Sequence, residues 1–414
     1  MTPEIKQRIE QIRRGEVPEG YKKGKLGIVP EEWNETSFST LFTSTSEYTD
    51  DLDKYPLYSL TIEDGVTPKT ERYERSHLVK KEDSYKIVRP NDYAYNPMNL
   101  RFGSVARHKG NLPVAVSGYY DIFTTVHKSD LPFMDSFLTC GPMISYYNRV
   151  STGSLVEKQR VHFSQFLEFV LPLPSINERA KIATILTTQD KVIKLKEKRL
   201  AEKQRQKKYL MQQLLTGKKR LPGFYGAWSF PKAKELFQSV SDKDHNGDLA
   251  VLSSTQDRGI VPRDEVDIDI KYDACSLVNY KKVSKGNFVI SLRSFQGGIE
   301  YSTYTGLVSP AYTVLSSRKE ISDGYYKQFF KSTDYINRLN VAVYGIRDGK
   351  QISYEDFGRL RIPYPPIKEQ DAIAEVLSAA DREIDLLQQD IEQEKQKKKA
   401  LMQLLLTGIV RVKT

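Results

Sequence analysis

Five polar residues crowd one stretch of this chain: Asn96, Asn99, Arg101, Arg107 and Lys109 in YNPMNLRFGSVARHKG. They stand beside glycines and between short apolar runs, where a chain turns. Amide and guanidinium groups can hydrogen-bond base edges, and lysine and arginine neutralise phosphate. Lys158, Gln159 and Arg160 form a second group of this kind. Arg293, Ser294 and Gln296 form a third, and Arg347, Lys350 and Gln351 a fourth. Lys22, Lys23 and Lys25 in YKKGK and Lys218 and Lys219 in GKKRL hold corresponding places and suit a phosphate backbone. Solvated linkers explain those lysines equally, and any single residue above is as well explained as solvated surface. Their grouping is what suggests a nucleic-acid interface.

Covalent chemistry finds less support. NPMN at 96–99 has the first half of the Asn-Pro-Pro-aromatic motif with which adenine methyltransferases hold a flipped base, but the second proline and the aromatic are missing. No glycine-rich turn for S-adenosylmethionine follows a strand, and no Gly-x-x-x-x-Gly-Lys-Ser/Thr loop offers an ATP site. DEVDIDIK at 264–271 loosely echoes a metal nuclease, yet its acids lie too close together for paired strands. The five histidines, at 77, 108, 127, 162 and 245, show no metal-ligand spacing. Cys140 and Cys275 are the only cysteines, which fits a reducing cytosol and leaves no disulfide framework or cysteine zinc site. The expectation is therefore a binding protein with no metal or catalytic residue of its own.

What positions these loops is a duplication. LMQQLLTGKKRL at 210–221 returns as LMQLLLTGIVRV at 401–412, with Thr216-Gly217 and Thr407-Gly408 separated by 191 positions. At the same offset Glu178 meets Glu369, Asp190 meets Asp381, and Pro172-Leu173-Pro174 meets Pro363-Tyr364-Pro365. Each copy predicts a long helix with a 3.5-residue seam. Ile182, Leu186, Ile193, Leu200, Leu210 and Leu214 line the first seam. Ile373, Leu377, Ile384, Leu387, Ile391, Leu401 and Leu405 line the second. Residues 182–214 would span roughly 50 Å at about 1.5 Å per residue. The first helix region, 190–220, has twelve basic residues against three acids, while Asp381–Glu394 is acid-rich. Antiparallel pairing would set Lys203 and Arg205 against Asp381–Asp385, and Lys194 and Lys196 against Glu392 and Glu394.

Between the helices lie two segments of short Val/Ile/Tyr/Phe runs punctuated by turn residues, and they too are a pair. Leu26, Trp33 and Leu41-Phe42 meet Leu221, Trp228 and Leu236-Phe237 at a shift of 195, and Gly103 meets Gly298. YKIVRPNDYAYN resembles YKKVSKGNFVIS, and AVSGYYDIF resembles LVSPAYTVL. The expected fold class is α+β, with two pseudo-twofold-related α/β domains separated by an antiparallel coiled coil. The expected boundaries are 1–167, a first domain with a short N-terminal helix; 168–220, a helical repeat; 221–358, a second domain; and 359–414, a second helical repeat. At 414 residues more than one domain is expected. A net charge of +10 and an isoelectric point near 9.1 favour a polyanionic partner. Mean hydropathy is −0.52, and no apolar run suits a membrane span.

With these residues in view, the chain resembles the specificity (S) subunits of type I restriction–modification systems. The resemblance covers nearly the whole length. It rests on PLPSINERAKIA…LMQQLLTG and PYPPIKEQDAIA…LMQLLLTG, on YKKGKLGIVPEEW, and on ISLRSFQGGIEYS and GLVSPAYTVL in the second domain. It implies that each domain reads one half of a split, asymmetric site in double-stranded DNA. It implies that the helices set the number of unread base pairs between the halves and dock two methyltransferase subunits; a rod of roughly 50 Å is of the right scale beside a duplex turn of ~34–36 Å. Motor/nuclease subunits would join for restriction, in the cytoplasm. S-adenosylmethionine, ATP and magnesium would belong to those partners, and this subunit would be non-catalytic. The rival expectation is a coiled-coil adaptor whose domains bind proteins.

Overall fold

The computed structural model describes residues 2–69, 85–153, 159–266, 274–292, 294–342 and 352–412. Lys158, Arg293, Arg347, Lys350, Gln351 and His77 lie outside them, as do residues 267–271 of the acidic stretch. Tertiary contacts gather the chain into two compact units, Met1–Lys196 with Ile391–Thr414, and Glu197–Asp390.

Two helices of equal length dominate: Ile176–Leu214 and Ile367–Leu405, whose first and last residues are each 191 positions apart. Each begins just after a proline, Pro174 or Pro366, because proline cannot donate an intrahelical hydrogen bond. Each ends at a glycine held in the left-handed region, Gly217 (φ 72°) or Gly408 (φ 71°), where a side chain would be strained. Within each unit, segments of the two helices run antiparallel. Ile182, Leu186, Leu401 and Leu405 share the core of the first unit; Leu210, Leu214, Ile373 and Leu377 share that of the second. Ile193 and Ile391 are buried, and Leu200, Ile384 and Leu387 are half-buried. The 3.5-residue seam read from the sequence is therefore the face that is covered.

The charges pair as their signs predict, with two changes of residue. Lys196 meets Glu394 at 2.8 Å in the first unit, and Lys203 meets Glu383 at 2.8 Å in the second. Lys398 meets Asp190 at 2.6 Å, and its repeat counterpart Lys207 meets Asp381. Arg205 and Lys194, expected at the seam, are exposed, because both fall between seam positions of the register. Arg199 and Lys207 pair with Glu383 and Asp381 in the place expected of Arg205, and Glu392 accepts instead from Gln396 on its own helix.

The rest of the first unit is an N-terminal helix, Pro3–Arg13, and a mixed α/β body. Its antiparallel four-stranded sheet runs in the order Val105–Arg107, Tyr93–Tyr95, Asp121–Thr125, Phe42–Thr45. In the second unit the order is Glu300–Tyr301, Phe288–Ile290, Thr313–Ser317, Phe237–Val240, which is the same plan. A smaller sheet repeats too: Tyr85–Val88 pairs with Val114–Ser117 as Lys281–Val283 pairs with Gly306–Val308. The sheets are held by aromatic packing. Phe42 meets Phe123 edge-on at 5.0 Å, and its counterpart Phe237 meets Phe288 at 5.7 Å. Each such pair contributes about 0.5–1.5 kcal/mol beyond burial. The long helices, the order of the main sheet and the smaller strand pair thus recur in both units.

Candidate nucleic-acid interface

In the first unit the loop joining Tyr93–Tyr95 to Val105–Arg107 is built by its own polar residues. Asn96 is buried, and its Oδ1 accepts from the backbone N–H groups of Met98 and Asn99 at 3.1 and 3.4 Å. The loop ends at Gly103, whose φ of 94° favours glycine. Asn99 stays exposed. Arg101 stacks its guanidinium over Phe102, 4.6 Å from the ring centroid, and Phe102 is itself 50% exposed. Arginine on aromatic is a surface suited to nucleic-acid bases.

Three stretches far apart in sequence meet here. Arg101 Nη1 donates to Gln159 Oε1 at 3.3 Å, and Asn148 Nδ2 donates to the Arg101 carbonyl at 2.8 Å. Arg160 is joined to Thr152 through a backbone bridge. Arg149 Nη2 donates to the Lys25 carbonyl at 2.5 Å, which carries the YKKGK hairpin to the same place. Among the described residues, no carboxylate pairs with Lys23, Lys25, Arg101, Arg149 or Arg160. Lys23 and Lys25 are exposed, whereas Lys22 turns inward, its Nζ donating to the Glu31 and Trp33 carbonyls at 3.0 and 3.2 Å. Asn148 and Arg149 were missed in the sequence, since their helix, Gly141–Val150, reads as an ordinary amphipathic segment.

Arg107 and Lys109 belong to a different group. Arg107 donates through Nε and Nη2 to both oxygens of Asp135, at 2.9 and 2.7 Å, and through Nη1 to Asn91 at 2.6 Å. Its donors are largely satisfied within the protein, which suits it to shaping the wall of a cavity of about 320 Å3. Lys109, 68% exposed, stands at 3.3 Å from Asp135. Burial raises the Asp135 pKa, but hydrogen bonds from Arg107 and the charge of Lys109 outweigh it and hold the carboxyl below its ordinary value. The sequence's single cluster is therefore two: a cation patch at one end of the Val105–Arg107 strand, and at the other a cleft lined by Glu63, Asp64 and Asp135 as well as Arg107 and Lys109.

In the second unit Ser294 is buried, and its Oγ accepts from the Ser291 backbone N–H at 2.8 Å. Like Asn96, it fixes the turn. Gln296, Lys218 and Lys219 are exposed. The helix ends are clamped by a repeated ion pair: Arg411 donates to both oxygens of Glu178 at 2.8 and 3.0 Å, and Arg220 to both of Glu369 at 2.5 and 2.6 Å. Both glutamates are buried. Fork-to-carboxylate pairing of this kind is directional. Among the described residues there is no group of three or more His, Cys, Asp or Glu able to hold a metal, and no helix long and apolar enough to cross a membrane.

Comparison with known proteins points one way. The family model described as the type I restriction modification DNA specificity domain matches residues 227–396. The chain is 25% identical to a putative type I restriction enzyme MjaX specificity subunit from Methanocaldococcus jannaschii, over 96% of its own length and 98% of the relative's. It is 26% identical to the MjaVIII specificity subunit of the same organism, over 60% of this chain and 64% of that one. Among solved structures it is similar to the S subunit of the type I system of M. genitalium, with a TM-score of 0.52, 13% identity, and 93% and 99% coverage. It is also similar to a chain from a study of complex assembly in a type I system, with a TM-score of 0.56, 14% identity, and 92% and 99% coverage. At these identities the structural likeness is one of fold.

Proposed function

We propose that this chain is a member of the specificity-subunit family of type I restriction–modification systems and the DNA-reading subunit of such a complex. The observation that carries the proposal is the patch of Lys25, Arg101, Arg149 and Arg160, gathered from separate stretches with no paired carboxylate among the described residues. Cations collected without acids suit a polyanion, and phosphate contacts fix a protein's register on a duplex. Each unit would read one half of a split site in double-stranded DNA. The halves should be unlike, because Arg101-Phe102 in one unit stands where Gln296-Gly297 stands in the other. The paired helices would set the unread gap and dock two methyltransferase subunits, with restriction subunits joining for cleavage. Catalysis would rest with those partners, together with S-adenosylmethionine, ATP and magnesium, and the complex would act in the cytoplasm.

Co-expression with the methyltransferase subunit, followed by mapping of N6-methyladenine across the host genome, tests this. The expected result is a split motif with two unlike halves and a fixed gap. A stable complex that methylates nothing, or an undivided motif, rejects the proposal and favours the protein-binding adaptor.

A further inference from the structure

The two units share a device at the end of the sheet opposite the cation patch. In the first unit the chain leaves Val105–Arg107, makes a loop, and enters Val114–Ser117. In the second it leaves Glu300–Tyr301 and enters Gly306–Val308. The first residue of each loop is buried: His108 is 2% exposed and Ser302 0%. Each is anchored by its backbone in the same way. His108 N–H donates to the Asp92 carbonyl at 2.7 Å and the His108 carbonyl accepts from Asn91 N–H at 2.9 Å; Ser302 bonds the Asn287 carbonyl and Gly286 N–H likewise, both at 2.9 Å. Asn91 and Gly286 both have positive φ, 76° and 97°. Each anchor then uses its side chain to hold the tip. His108 Nε2 bonds the Leu112 carbonyl at 2.8 Å, and Ser302 Oγ donates to the Tyr304 carbonyl at 2.7 Å.

What both loops hold out is a large apolar side chain. Leu112 is 72% exposed and Tyr304 40%. Single exposed apolar residues are ordinary. Two of them, at the same place in a duplicated fold and each with its carbonyl tied to a buried anchor, are a repeated arrangement. In the first unit the Leu112 loop and the Arg101 loop leave opposite ends of the short Val105–Arg107 strand, which spans about 10 Å.

We propose that Leu112 and Tyr304 are wedges, one per unit, that slide between or stack on base pairs of the duplex each unit reads. Apolar side chains inserted at a base step partly unstack it, and a tip fixed beforehand loses little freedom on entering. The inference rests on the DNA-reading function and extends it: part of each half-site would be chosen by how easily a step opens.

The test uses the complex with its methyltransferase subunits and duplexes carrying the motif that the wild-type complex methylates. 2-Aminopurine is placed at successive positions of both halves. Binding is expected to raise fluorescence at one step in each half other than the methylated adenine, which the methyltransferase subunits themselves flip out. Leu112→Ala should abolish the rise in one half only and weaken binding about tenfold, Tyr304→Ala should do so in the other half, and Leu112→Met should retain it. Unchanged hydrogen exchange in each unit of the variants excludes misfolding. Wild-type binding with no rise at any position, or alanine variants that bind and methylate as wild type, overturns the wedge and leaves the DNA-reading function standing. A wild-type complex that methylates no split motif overturns both.

Discussion

The two units are one design carried out twice, and the useful question is where they part. The helix ends agree. Arg411–Glu178 and Arg220–Glu369 are the same ion pair 191 positions apart, as are Lys398–Asp190 and Lys207–Asp381. The order of strands agrees. The loops do not: Arg101 and Phe102 give way to Gln296 and Gly297, and Arg107, bound to Asp135, gives way to Tyr301, whose hydroxyl donates to Asp323 at 3.0 Å. Even under the helix start the chemistry changes. Arg179 meets Asp130 as a buried ion pair at 2.8 Å, whereas its counterpart Gln370 accepts from the Ser322 backbone N–H at 2.9 Å. A duplicated chain acts as its own comparison. Groups that bind the scaffold together recur, and groups that face a ligand are free to differ.

The largest effect should come from a pair of equivalent glycines. A Cβ on Gly298 would lie 2.0 Å from the Phe330 carbonyl oxygen, whereas one on Gly103 would only touch Ile144 at 3.4 Å. Both have positive φ. Gly298→Ala should cost more than about 4 kcal/mol, and Gly103→Ala about 1–2 kcal/mol for the left-handed backbone alone. Hydrogen exchange followed separately in each unit reads both, since one melting temperature is poorly defined for two units. Equal costs would mean that the two turns are packed alike and that the close approach of Phe330 does not govern Gly298.

Next in size is the exchange of one unit's chemistry for the other's. Arg179→Gln leaves the Asp130 carboxylate buried without its cation and should cost about 3–5 kcal/mol. Adding Asp130→Ser reproduces the second unit's neutral arrangement and should recover most of that loss. A double variant no more stable than the single would show that the ion pair is required by its surroundings.

The smallest effect is one of pH. Lys196 first, and then Gln189, hydrogen-bond Glu394 and hold its pKa at about 2, against an ordinary 4.5. A depressed folded-state pKa stabilises above the unfolded value, so this contribution is intact at neutral pH and is lost as pH falls from 4.5 towards 2. Glu394→Gln should flatten the acid limb of the first unit's stability and leave that of the second unchanged. An acid limb that is unaltered would remove Glu394 from the account.

The sequence by itself determined the duplication, the two helices, their seam and the signs of the charges that meet across it. These are legible because a helix has a fixed period, and a repeat carries its own alignment. It also marked the loops that hold the candidate side chains. What only the tertiary structure decided is which of those side chains remain available. Asn96 and Ser294 are spent on turns, and Arg107 on Asp135. Arg149, which no local pattern marks, reaches across 124 positions to join Lys25. The structure also decided that the N-terminal Tyr21 would bond the carbonyl of Gly408, near the other end of the chain. Period and composition are local properties, while the partner of a buried polar group is set by packing between residues far apart in sequence, and hydrogen-bond need alone does not name it.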